Sequence, residues 1–158
     1  TVYGRYGVVD SDTFVWGGDI EFAFPSGFAL SFLANQYVET RVGETTDLET
    51  YGFYGGWVFP VGHGRGLARV ELGAYSIGVG GKEVRFSGRL GSEYYFGMPF
   101  GIQMRTQIAK VFEMWIFDTE WRFTANFTNF GIYVGVRSLF NDKGPDLDGP
   151  VAGLILWF

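Results

Sequence analysis

The stretch from Thr13 to Phe24 alternates without a break: Phe14, Trp16, Gly18, Ile20, Phe22 and Phe24 fall on one side, with Thr13, Val15, Gly17, Asp19, Glu21 and Ala23 on the other. Period two places the first set on one face of an extended strand, whereas a helical period would scatter it around the circumference. A chain that repeats such a pattern folds as a sheet whose strands each carry one apolar and one polar face. The sheet must then find a solvent for each face.

The pattern does repeat. Val2 to Val9 predicts a first strand with Tyr3 and Arg5 opposite Val2, Tyr6 and Val8, followed by a polar turn at Asp10-Ser11-Asp12. After the turn Pro25-Ser26-Gly27, the residues Phe28, Leu30, Phe32 and Ala34 oppose Ser31 and Asn35. Glu39 to Glu49 is polar and acidic and reads as a long loop. Tyr51, Phe53, Gly55, Trp57 and Phe59 then form an aromatic face that ends in a turn from Pro60 to Gly66. Ala68, Val70, Leu72 and Ala74 oppose Arg69, Glu71 and Tyr75, and Gly78 to Glu83 turns the chain. Val84, Phe86, Leu90, Tyr94 and Phe96 oppose Arg85, Ser87, Arg89 and Glu93, before a turn at Gly97 to Gly101. Ile102, Met104 and Ile108 oppose Gln103, Arg105 and Gln107; from Val111 to Phe117 the pattern blurs, compatible with a strand extension or a loop. Trp121, Phe123, Ala125 and Phe127 oppose Glu120, Arg122, Thr124 and Asn126. The turn Thr128 to Gly131 leads to Ile132, Val134 and Val136 opposite Tyr133 and Arg137, and Asn141 to Pro150 reads as a polar loop. The last strand, Val151 to Phe158, is apolar on both faces and ends on an aromatic residue. The expectation is an all-β closed antiparallel barrel of about ten strands in one domain over residues 1–158; reading the first strand or 111–117 differently gives eight or twelve.

Composition decides which face meets which solvent. Aromatic residues make up 20% of the chain, Gly numbers 25, and Lys occurs only at Lys82, Lys110 and Lys143, whereas soluble surfaces are rich in Lys. The aromatic and aliphatic face is too bulky for the lumen of a small barrel, so it points outward, and the Gly, Ser, Asn and charged face points inward. No apolar run is long enough for a membrane helix, but a strand crosses a bilayer without one. The chain starts at Thr1 rather than Met, which reads as a mature or trimmed form. There is no Cys, so disulfides and thiolate metal sites are out.

A final strand whose outward residues Ala152, Leu154, Leu156 and Phe158 end in Phe resembles the closing strand of bacterial outer-membrane β-barrels. That resemblance implies a transmembrane barrel in outer-membrane lipid and lipopolysaccharide, folded by the barrel-assembly machinery, which reads the terminal aromatic. Counting connections alternately, one end carries short turns beside Phe24, Phe59, Phe96 and Phe127, with Phe158 at the same end. These five form an aromatic girdle that the resemblance places on the periplasmic side, together with both termini. The other end collects the acidic connections.

The inward set holds Arg5, Arg69, Arg85, Arg89, Arg105, Arg122 and Arg137 against Asp19, Glu21, Glu71, Glu93 and Glu120. Arg forks bind carboxylates bidentately and unpaired charges are costly in a confined interior, so a salt-bridged lumen is expected. The reading that follows is a small non-enzymatic barrel with a structural, surface-binding or complex-anchoring role, and other outer-membrane or periplasmic proteins as further partners. The alternative is a narrow pore made weakly anion-preferring by seven Arg against five acids, and the third is a hydrolase at the rim. Enzyme motifs are missing: omptin proteases use acidic residues with a His at the extracellular rim, and lipid A deacylases a His and Ser pair on the lipid-facing wall. The sole His, His63, falls in a Gly-rich turn at the opposite end. No cofactor or metal is expected; Asn141 to Gly149 has spaced oxygen ligands but lacks the EF-hand pattern. A net charge of −5 with few Lys argues against nucleic acid.

Overall fold

The computed structural model describes residues 1–10, 13–41, 44–78, 83–111, 113–142 and 147–158. Ten strands follow one another: β1 (Val2–Asp10), β2 (Thr13–Ala23), β3 (Phe28–Arg41), β4 (Glu44–Val61), β5 (Gly66–Gly78), β6 (Glu83–Gly97), β7 (Phe100–Val111), β8 (Met114–Asn126), β9 (Phe130–Asn141) and β10 (Leu147–Leu156). Each pairs antiparallel with its sequence neighbours, and β1 pairs with β10, so the sheet closes on itself. Closure leaves no strand edge with unpaired backbone groups.

The register keeps the two chemistries apart. Across β2 and β3, Phe22 lies opposite Leu30 and Ile20 opposite Phe32 on the outside, while Glu21 lies opposite Ser31 and Asp19 opposite Leu33 on the inside. A slip of one residue would turn the carboxylates into the apolar exterior, so the pairing is strongly specified. On the outside Phe22, Phe53, Leu72, Phe86, Val134 and Leu154 are all more than half exposed.

The connections beside the termini are tight. Gly27 has φ 81 and donates its N–H to the Phe24 carbonyl at 2.9 Å. Gly62, His63 and Gly64 all take positive φ, which two Gly allow without steric cost.

At the other end the strands run further than the sequence pattern predicts. The expected loop from Glu39 to Glu49 is mostly strand: Glu39 pairs with Thr46 and Gln36 with Glu49, and β3 and β4 continue to Arg41 and from Glu44. A backbone ladder needs no apolar side chains once it leaves the lipid, so polarity marks where the strands emerge rather than where they stop. The blurred stretch from Val111 to Phe117 resolves the same way, with β8 beginning at Met114 and Trp115 opposite Lys110. The expected loop from Asn141 to Pro150 loses its last part to β10, where Pro150 lies opposite Val136. Of the predicted turns Asp10 to Asp12 and Gly78 to Glu83, the outer residues Asp10, Gly78 and Glu83 belong to strands, while 11–12 and 79–82, like 143–146 of the loop from Asn141, lie outside the described residues.

Candidate functional site in the lumen

Every second residue of each strand points into the lumen, so the charges of distant strands meet there. Asp19 on β2 is the hub. Its Oδ2 accepts from Arg5 Nη2 at 2.6 Å and Arg105 Nη1 at 3.0 Å, and its Oδ1 accepts from Arg89 Nη2 at 2.9 Å. Arg122 Nη2 lies 4.0 Å from Oδ2, so four guanidinium groups surround a carboxylate whose side chain is 1% exposed. Glu120 forms the second node, accepting from Arg5 Nη1 at 3.0 Å and from Arg122 Nε at 2.8 Å and Nη2 at 3.0 Å.

Three further clusters flank the hub. Arg69 bridges Glu21 and Glu93. Glu71 accepts from the Ser31 hydroxyl at 2.8 Å and lies 3.7 Å from Arg89 Nε. Arg137 grips Asp118 with two parallel bonds, the fork geometry that suits a carboxylate. Tyr rings support the arginines from their faces: Arg105 stands 4.1 Å and Arg122 5.2 Å from the centroid of Tyr3, and Arg122 also lies 4.6 Å from that of Tyr133. A ring face attracts a guanidinium more strongly at a buried site than at an exposed one.

Of the twelve charged residues expected inside, eleven are buried together, namely Arg5, Asp19, Glu21, Arg69, Glu71, Arg89, Glu93, Arg105, Glu120, Arg122 and Arg137. Arg85 is the exception. It lies on the inward register of β6, opposite Tyr75, but close to the end of the strand, where it is exposed. Asp118 joins the network although the sequence pattern puts it in the connection before β8. Continuing the alternation back from Arg122 through Glu120 would have found it. The expected excess of seven Arg over five acids therefore disappears: among the described residues, six buried arginines face six buried carboxylates.

The interior is tightly filled. A cavity of about 20 Å³ remains at the hub, between Asp19, Leu33, Arg105, Gln107, Glu120 and Arg122. Several buried polar atoms at different depths have no protein partner, among them Arg122 Nη1, Gln107 Nε2, Gln103 Oε1, Asn126 Oδ1 and Tyr37 Oη. Such groups are ordinarily met by ordered water.

Phe24, Phe59, Phe96, Phe127 and Phe158 are all exposed, each beside the end of its strand. Phe127 stacks on Phe130 at 4.9 Å between centroids and Phe24 on Phe28 at 6.1 Å. A second aromatic group at the opposite end went unnamed in the sequence pattern: Phe117 lies between Trp115 and Phe140, at 6.5 and 6.1 Å. Trp115 and Phe117 fall in the stretch where the alternation blurs, and Phe140 lies beyond Arg137, the last residue read in its strand. His63 is exposed in its turn, and among the described residues no group of three or more His, Asp or Glu side chains could hold a metal.

An unbroken hoop of ten strands, apolar outside and charge-paired inside, is the build of a transmembrane β-barrel. Only closure lets strands cross lipid with every backbone group paired. Among solved structures the chain is similar to the NanC porin, with a TM-score of 0.60 over 99% of this chain and 98% of that one, at 10% sequence identity. No family model and no curated protein matches the sequence.

Proposed function

We propose that the protein is a narrow pore of a bacterial outer membrane. The observation that carries this reading is a lumen in which buried donors and acceptors at several depths lack protein partners, beside an inward apolar cluster that includes Val15, Leu33, Ile116, Leu139 and Ile155, inside a wall that presents apolar side chains outward. Groups that need water through the lumen favour a thin hydrated path, and the likeness to a porin supports the pore over a purely structural role. The balanced inward charge argues against the anion preference that an Arg excess would give, so selectivity from the charge count alone is small. Catalysis finds no support in the lumen, where the carboxylates are engaged by arginines and no His is present.

The second reading, a plugged barrel that anchors or binds other components, is favoured by the small volume left at the Asp19 hub. In either case both termini and the girdle of Phe24, Phe59, Phe96, Phe127 and Phe158 face the periplasm. The outer wall then meets lipid and lipopolysaccharide, and the final strand engages the assembly machinery. Conductance of the purified barrel in a planar bilayer separates the two readings. Small stable steps with a reversal potential near zero in a salt gradient are expected. Silence from demonstrably inserted, folded protein would overturn the pore and leave the plugged barrel.

A further inference from the structure

Neutral in total, the lumen is uneven in detail, and the cavity at the hub shows it. Its lining carries the four guanidinium groups of Arg5, Arg89, Arg105 and Arg122 against the three carboxylates of Asp19, Asp118 and Glu120. Asp118, moreover, is held by Arg137, which does not line the cavity. The lining itself thus carries one more guanidinium than carboxylate, while Glu21 and Glu71, outside it, lie 3.7 Å from Arg105 and Arg89.

The unused hydrogen-bonding capacity has one sign as well. Arg5 Nε, Arg105 Nε, Arg122 Nη1 and Gln107 Nε2 are buried without a partner, and all four are N–H donors. The carboxylates at the cavity are already engaged: Asp19 by Arg5, Arg89 and Arg105, Glu120 by Arg5 and Arg122, and Asp118 by Arg137. A water molecule offers two hydrogens and needs acceptors for them. A spherical anion accepts from every direction and donates nothing.

We propose that this cavity is a binding site for a single monovalent anion of halide size, held by Arg5, Arg105, Arg122 and the amide of Gln107. A volume of about 20 Å³ gives room for a single small particle. Leu33, buried at 3% exposure, supplies an apolar wall, which suits a weakly hydrated ion better than a strongly hydrated one. The site stands whether or not ions cross the barrel.

Bromide is the probe, because it scatters anomalously and resembles chloride in size. Crystals of the detergent-folded barrel grown in sodium bromide should show one anomalous peak at the hub, and thermal unfolding should come at higher temperature in bromide than in gluconate at equal ionic strength. Gln107→Leu removes a neutral donor and no ion pair. It should weaken bromide binding about tenfold, the effect of losing one hydrogen bond to a charged group. Absence of the wild-type peak in saturating bromide would overturn the site, as would an unfolding temperature indifferent to the anion. A folded Gln107→Leu protein that binds bromide as tightly as wild type would overturn the assignment of the donors.

Discussion

The two faces of the same strands solve opposite problems. Outside, Phe22, Leu72, Val134 and Leu154 stand exposed on a transmembrane wall and need only be apolar. Inside, Asp19, Glu120 and Arg137 need particular partners at particular distances, because a buried charge without its counter-charge is far more costly than an exposed Leu. The outer wall is thus tolerant of exchange within a chemical class, while the lumen tolerates little exchange even within a charge class. Lys in place of Arg122 would lose the fork that holds Glu120 through Nε and Nη2 together.

Substitutions on each face test that contrast. Asp19→Ala should have the largest effect, about 3–5 kcal/mol of folding stability, since it strands the arginines gathered round one carboxylate. Chemical unfolding in lipid vesicles measures it, and on the proposed pore reading the same variant should turn the barrel anion-selective in a reversal-potential experiment. Val134→Arg, near the middle of β9 and facing out, should cost about 2–4 kcal/mol by the same assay, whereas Val134→Leu should be close to neutral. If both Val134 variants behaved alike, the outer wall would not be meeting lipid.

Gly73→Ala comes next. A Cβ there would stand 1.9 Å from the Phe53 carbonyl oxygen, so β4 and β5 must shift, at a cost of about 1–3 kcal/mol. Tyr133→Phe should be smallest, at about 1 kcal/mol or less. It removes the hydrogen bond to the Gly4 carbonyl at 3.2 Å but keeps the ring face under Arg122. A loss there as large as that of Asp19→Ala would mean that the hydroxyl, and not the ion pairs, governs the interior.

Alternation made the fold readable from sequence, because the outward faces of β2, β4, β6 and β9 are apolar nearly throughout the band of exposed aromatics and aliphatics, with Ser92 and Ser138 as the exceptions. The same rule found eleven of the buried charges, since side-chain direction in a strand follows from parity alone. It misplaced Arg85 because parity says which way a residue points but not how far along the barrel it lies, and Asp118 was missed because the alternation was not followed back past Glu120 into the blurred stretch. Arg85 points inward at the rim, where the lumen opens to solvent, and Asp118 sits deep enough to meet Arg137. Pairing was likewise out of reach. Arg5 and Glu120 lie 115 residues apart and touch only because β1 closes on β10, a consequence of the strand count and the stagger of the whole sheet. The strand ends at Glu39 to Glu49 were misjudged because polar residues in a ladder look like polar residues in a loop.

The closing joint of the hoop is also its shortest. β1 meets β10 only from Val2 to Gly7, whereas β3 and β4 run side by side from Phe28 to Arg41. A ring opens where its bonds are fewest, however strong the rest of its circumference. The mechanical strength of this barrel is therefore that of a clasp between β1 and β10, and the Tyr133 hydroxyl on the Gly4 carbonyl, reaching across from β9, acts as its catch.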